Sequence, residues 1–206
     1  LGGATYSTAD TVRPALQLIK TKPGNTIVSS CFILVRPRAT GENEVLAMGD
    51  CAINIHPNED ELVEIAYETA NCARIFGIEP EVAFLSYSTF GSGFGEDVDK
   101  MHNAAEKAKK KYPELPISGE LQFDAAVSPR VARTKCPDDP VAGHTNTFVF
   151  PDINAGNIGY KIAQRLGNFE AYGPILLGLN APINDLSRGC NAAEVYSMAI
   201  ITAALA

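Results

Sequence analysis

Short apolar runs alternating with stretches of helical periodicity predict an α/β fold on a mostly parallel sheet. Val82 to Tyr87 is a short apolar run bounded by turn residues, the pattern of a strand buried on both faces. Intervals long enough for a helix separate the successive runs, as right-handed βαβ units require. Apolar residues make up 46% of the 206 positions, enough to fill the core of one large domain or two small ones.

In chain order, a helical pattern begins almost at once, and Lys20-Thr21-Lys22-Pro23-Gly24 marks a turn between a helix end and a strand. Cys31 to Val35 and Val45 to Met48 read as a hairpin around Arg36 to Glu42. Asn58 with Glu61 forms a capping box, followed at helical spacing by Leu62, Ile65, Ala66, Thr69, Cys72 and Phe76 until Gly77 ends the helix. A loop rich in serine and glycine follows the 82–87 strand. Asp97 to Lys111 is acidic where it starts and basic where it ends, as the helix dipole favours. The alternation continues with strands at 121–123, 148–150 and 175–179 and helices at 125–134, 158–166 and 192–205.

Charge and side-chain inventory exclude several classes. With 17 Lys and Arg against 24 Asp and Glu, the net charge of −7 disfavours a general grip on nucleic acid, so an anionic ligand must be held locally. No apolar run reaches the roughly 18 residues a bilayer span needs, and the N-terminus lacks the pattern of a signal peptide. These features predict a soluble, cytoplasmic protein. Cys31, Cys51, Cys72, Cys136 and Cys190 are odd in number, widely spaced and without a CxxC pair, which fits a reducing compartment. His56, His102 and His144 lie apart and form no HExxH set, so no metal site is expected. There is no GxGxxG, P-loop or GxSxG motif either.

In parallel sheets ligands gather at the carboxyl ends of the strands, so the loops leading into helices are where chemistry is sought. Four such segments are rich in small polar residues: Thr5 to Pro14, Ser86 to Gly93, Asn154 to Lys161, and Asn184 to Cys190. Free N–H groups at a helix start attract anions. Arg188 can offer a planar fork of donors to a phosphate, and Gly189 lets a ligand approach the backbone. The local chemistry equally permits Ser187 and Asn191 to be helix caps and Arg188 to be a surface ion-pair residue.

Five long stretches in order carry a resemblance to the phosphate acetyltransferase (phosphotransacetylase) family, relatives of the phosphate butyryltransferases. They are Ser7 to Gln17, Asp50 to Asn54, Gly119 to Ala126, Phe150 to Lys161, and Pro182 to Cys190. The resemblance implies reversible transfer of an acetyl group between coenzyme A and phosphate by a homodimer without metal or prosthetic group. It further implies two three-layer α/β domains of the isocitrate/isopropylmalate dehydrogenase-like type with a ligand cleft between them. Residues 1–22 and 174–206 would belong to the first domain and 23–173 to the second. Typical members carry a further segment before the position of Leu1, which implies that this chain is the C-terminal part of the family's length.

By that resemblance Arg13 and Arg188 are candidates to hold the phosphoryl group, and Ser187 to hydrogen-bond the acyl oxygen. The family's general base, an Asp seven residues beyond the motif serine, is Glu194 here, which with Asn191 could equally close a capping box. Ser7, Thr8, Ser88, Thr89, Asn154, Gly156, Asn157, Tyr160 and Lys161 are candidate substrate and coenzyme contacts. Cys51 and Cys190 sit in motifs, yet neither has a histidine partner in its sequence context, so structural thiols are expected there. The competing readings are a butyryl- or propionyltransferase and a truncated, non-catalytic coenzyme A-binding or dimerisation domain.

Overall fold

The computed structural model describes residues 1–206, apart from the side chains of residues 8 and 9. The elements run β1 (Gly2–Gly3), α1 (Thr8–Leu18), β2 (Ser29–Pro37), β3 (Asn43–Gly49), α2 (Glu59–Ile75), β4 (Val82–Leu85), α3 (Glu96–Lys111), β5 (Ile117–Leu121), α4 (Phe123–Val127), α5 (Pro129–Lys135), β6 (Thr147–Val149), α6 (Ile153–Leu166), β7 (Glu170–Leu177), β8 (Asp185–Leu186) and α7 (Ala192–Ala204). A six-stranded sheet has the order β5-β4-β6-β3-β2-β7, and β1 pairs with β8 in a separate two-stranded ladder.

The expected hairpin is present as β2 and β3, antiparallel with Leu34 opposite Leu46. β3, β6, β4 and β5 are mutually parallel. Because β7 is antiparallel to β2, it runs in the direction of β3. β2 alone therefore opposes the other five strands of the sheet, and their carboxyl ends share one edge with the start of β2.

Side chains alternate across this sheet with the two-residue period of a strand. Val82 and Phe84 pack against Leu62, Ile65, Ala66 and Ala70 of α2 and Met101, Ala104, Ala105 and Ala108 of α3. Ala83 and Leu85 point the other way, into a cluster with Phe32, Leu34, Met48, Phe148, and Ala125, Ala126 and Ala132 of α4 and α5. Tyr160 and Ala163 of α6 pack on that second cluster, and the Tyr160 ring stacks on Phe32 at 3.9 Å. Each large side chain buried this way contributes roughly 1.5–3 kcal/mol. Met198 and Ile201 seat α7 on the face that carries α2, beside Ile175, Leu177 and Cys72.

Several sequence boundaries are corrected. The strand expected at 121–123 is β5 at Ile117–Leu121, and Phe123 begins α4. Polar Ser118, Gly119 and Glu120 disguise it, although all five strand residues are buried. The single helix expected over 125–134 is two, because Ser128 caps a new start with Pro129 in the first turn. The 154–161 segment is not a loop: α6 begins at Ile153, capped by the Asp152 carboxylate on the Ala155 N–H at 3.0 Å. Much of the 5–14 segment is likewise helical, with Ser7 as N-cap of α1.

Two buried carboxylates on α2 hold the link between α1 and β2. Glu64 accepts from the N–H groups of Thr26 and Ile27 and from the Thr26 hydroxyl, and Glu68 pairs with Lys22 at 2.8 Å and Asn25 at 3.1 Å.

Candidate functional site

The β1–β8 ladder brings the two ends of the chain together. Gly2 lies opposite Asp185 and Gly3 opposite Leu186, and the Ala4 N–H donates to the Leu186 carbonyl at 3.1 Å. Since the pair is parallel, Ala4 to Tyr6 and Ser187 to Cys190 leave it at the same end, and each connection enters a helix. Gly3 has a φ of +98°, and the position its Cβ would take is 2.3 Å from Asp185 Oδ1, so a side chain there would displace the ladder.

At the first entrance Ser7 Oγ donates to Asp10 Oδ2 at 2.6 Å and accepts the Asp10 N–H at 3.3 Å. The Ser7 hydroxyl first, with the Ser7 N–H and the nearby Arg13 charge, holds the Asp10 carboxyl below its usual range. The Thr8 side chain lies outside the described residues. Val12 is buried, whereas Arg13, the next residue, is exposed. At the second entrance the cap is Asn191, not Ser187: Asn191 Oδ1 accepts the Glu194 N–H at 3.0 Å and Glu194 Oε2 accepts the Asn191 N–H at 2.9 Å. Ser187 Oγ accepts from the Gly189 N–H at 3.2 Å and faces solvent, as does Arg188. Neither Arg13 nor Arg188 has a side-chain hydrogen bond or ion pair among the described residues, although the Arg13 charge helps to lower the Asp10 carboxyl.

The sheet edge supplies the remaining candidates, and here several side chains are already engaged. Ser88 is fully buried: its hydroxyl donates to Glu120 Oε1 at 3.0 Å and accepts from the Gly93 N–H. Thr89 Oγ1 lies 3.3 Å from Gln122 Oε1 and accepts the Gln122 N–H at 3.0 Å. Asn157 donates from Nδ2 to the Cys51 carbonyl, and Gly156 presses its Cα against the Asp50 carbonyl, where a Cβ would come within 2.4 Å. Asn154 and Lys161 are exposed on α6, and Tyr160 is half-buried under its stack with Phe32. Burial pushes the Tyr160 hydroxyl up, leaving it a neutral hydrogen-bonding group at physiological pH.

Cys51 is wholly buried, and burial, with Asp50 beside it, pushes its thiol well up. A nucleophilic thiolate there is disfavoured, as expected for a structural cysteine. All five cysteines are free. Among the described residues no cluster of three His, Cys, Asp or Glu side chains is placed to hold a metal ion, and no helix is long and apolar enough to cross a membrane.

Sequence reasoning missed two acid-centred networks at this edge. Asp50, 2% exposed, accepts from Ser30, from three successive backbone N–H groups and from the Asn54 side chain. Glu120 binds Ser88, the Gly91 N–H at 2.7 Å and His102 Nδ1 at 3.1 Å. A carboxylate within a motif and facing a loop of serines and glycines was the available signal. An open groove of about 1610 Å³ crosses the sheet face between α4 and α6, lined by Met48, Leu85, Phe123, Phe150 and Ile162 among others, and includes neither Arg13 nor Arg188.

The mostly parallel sheet and the two helix entrances that leave one end of the β1–β8 ladder define an α/β protein. Residues 1–203 match the family model described as Phosphate acetyl/butaryl transferase, and the chain belongs to that family. The phosphate acetyltransferase of Bacillus subtilis (strain 168) is 58% identical over 206 residues, and that of Staphylococcus epidermidis (strain ATCC 12228) is 50% identical over 211. The chain spans 62% and 63% of their lengths, and all of this chain is covered. A phosphotransacetylase crystal structure from Streptococcus pyogenes superposes with a TM-score of 0.92 at 59% identity, covering 98% of this chain and 62% of the other. A branched-chain phosphotransacylase from Enterococcus faecalis, at 22% identity and a TM-score of 0.76, shares the fold.

Proposed function

We propose that the chain carries the acyl- and phosphate-binding machinery of a phosphate acetyltransferase, reversibly moving an acetyl group between coenzyme A and phosphate. The observation that carries this reading is the β1–β8 pairing, which brings the Arg13 helix and the Ser187-Arg188 loop to one end of a ladder in a chain of this family.

In the direction of acetyl-coenzyme A synthesis, the coenzyme thiolate attacks the carbonyl carbon of acetyl phosphate. A carbon–sulfur bond forms, the bond from that carbon to the phosphate oxygen breaks, and phosphate leaves with the electron pair. A thiol of pKa about 8.5 needs a base, and Glu194 is the proposed acceptor of its proton. Its cap bond engages Oε2 only, which leaves Oε1 free of that bond. Arg13 and Arg188 would hold the phosphoryl group, and Ser187 would donate to the acyl oxygen as negative charge develops. Asn154, at the start of α6, and Tyr160 and Lys161, at its middle, are the proposed coenzyme contacts. No prosthetic group is required, and the free thiols support a reducing cytoplasm as the setting. Residues 1–22 with 174–206, and 23–173, are proposed as the two domain contributions.

Phosphate-dependent release of coenzyme A from acetyl-, propionyl- and butyryl-coenzyme A tests the reading. Acetyl is expected to be the best donor, and a longer chain preferred by a wide margin would reassign the acyl group. Arg13→Gln and Arg188→Gln should each cost on the order of 100-fold in rate, and Glu194→Gln should remove a limb of the pH–rate profile. Near-normal turnover in both arginine variants would refute the clamp.

A further inference from the structure

Asp50 closes the edge of the sheet just after β3. One carboxylate oxygen accepts from the Ser30 hydroxyl and from the N–H groups of Ala52, at 2.9 Å, and Ile53, at 3.2 Å. The other accepts from Asn54 twice, from its N–H at 2.9 Å and from Nδ2 at 2.6 Å. Asn54 Nδ2 also donates to the Val28 carbonyl at 2.9 Å. One buried side chain thus fixes both the 51–54 loop and the entry to β2.

Those two segments meet α1 at one buried residue, Val12. Val12 sits in a small apolar cluster with Val28 and Leu176, on which Ile53 and Leu179 also pack. Of the cluster's four members outside α1, Ile53 has its N–H on Asp50, and Val28 has its carbonyl on the Asn54 amide that Asp50 orients. Val12 is the α1 residue that stands there, and Arg13 follows it on the exposed side of the helix. A buried carboxyl group that accepts from this many donors makes a rigid support, since loss of the acceptor strands several buried N–H groups at once.

We infer that Asp50 is a positioning residue: by fixing Ile53 and Val28 it sets the seat of α1, and so where the Arg13 guanidinium meets an anion. The inference rests on the reading of Arg13 as an anion-holding group. Asp50 itself does not touch the substrate. Displacements near 1 Å can cost about 100-fold at a reacting centre, so a loosened seat is felt at Arg13 without any change in its chemistry.

The test uses the full 206-residue chain with Asp50→Asn, Ile53→Ala and Ile53→Val. Hydrogen exchange of the α1 amides is read against those of α2 and β4 as internal reference, and affinity for inorganic phosphate is measured by calorimetry. Asp50→Asn and Ile53→Ala should speed α1 exchange by about ten-fold or more relative to the reference and weaken phosphate binding comparably, while Ile53→Val stays near the parent in both. Unchanged α1 exchange in folded Ile53→Ala overturns the inference, as does faster exchange with unaltered phosphate affinity. Should Asp50→Asn fail to fold, Ile53→Ala carries the decision. A parent chain that does not bind phosphate refutes the anion reading instead, and the exchange comparison then decides by itself whether Asp50 seats α1.

Discussion

Glu120 is 1% exposed at the end of β5, yet the protein favours its charged form. Burial pushes its carboxyl up, but the Gly91 N–H, its own backbone N–H, the Ser88 hydroxyl and the His102 ring together outweigh burial, and the net shift is downward. A carboxyl depressed on folding contributes stability above the ordinary carboxyl range that is lost as pH falls through the depressed value. Unfolding free energy should therefore fall on acidification below about pH 4, and Glu120→Gln should flatten that part of the profile while costing about 1–3 kcal/mol at neutral pH. A denaturant titration at several pH values checks both, and an unchanged acid limb in the variant would remove Glu120 from the account. At this scale Arg188 and Ser187 stand out in the sequence because they sit in a long motif. Ser88 and Thr89 were legible as hydroxyls at a strand end, but that Glu120 and Gln122 already engage them depends on partners over 30 residues away.

Among the elements, the capped helices were the most readable. The Asn58/Glu61 and Asn191/Glu194 boxes both form, because each needs only residues within one turn. Asn58→Ala should cost about 1 kcal/mol in a denaturant midpoint experiment, the usual worth of a cap. The start of α6 was misjudged because Asn154, Gly156, Asn157 and Gly159 have the composition of a loop. Gly156 is there for close packing: its Cα meets the Asp50 carbonyl, with no room for a methyl group. Gly156→Ala, which on an exposed helix would stabilise, should destabilise here by about 1–3 kcal/mol through overpacking. A variant at least as stable as the parent would show that α6 can shift away from the loop.

At the scale of the whole molecule, α6 carries an exposed apolar stripe. Ile158, Ile162 and Leu166 are exposed at four-residue intervals along α6, and Ile162 lines the groove together with exposed Phe123 and Val127 of α4. An exposed apolar stripe is a candidate contact surface for the homodimer that the family resemblance implies. Light scattering should report a dimer for the parent and a monomer for Ile162→Glu. A variant that remains dimeric would move the interface elsewhere. The order and type of most elements, the capped starts and the family motifs are encoded in neighbours a few residues apart, so they could be read along the chain. Which helix entrances share an edge, which hydroxyls stay free for a ligand and where α1 rests were decided only in three dimensions. Those depend on positions 2 and 185 pairing and on Asp50 gathering donors from β2 and its own loop, contacts that no local periodicity records.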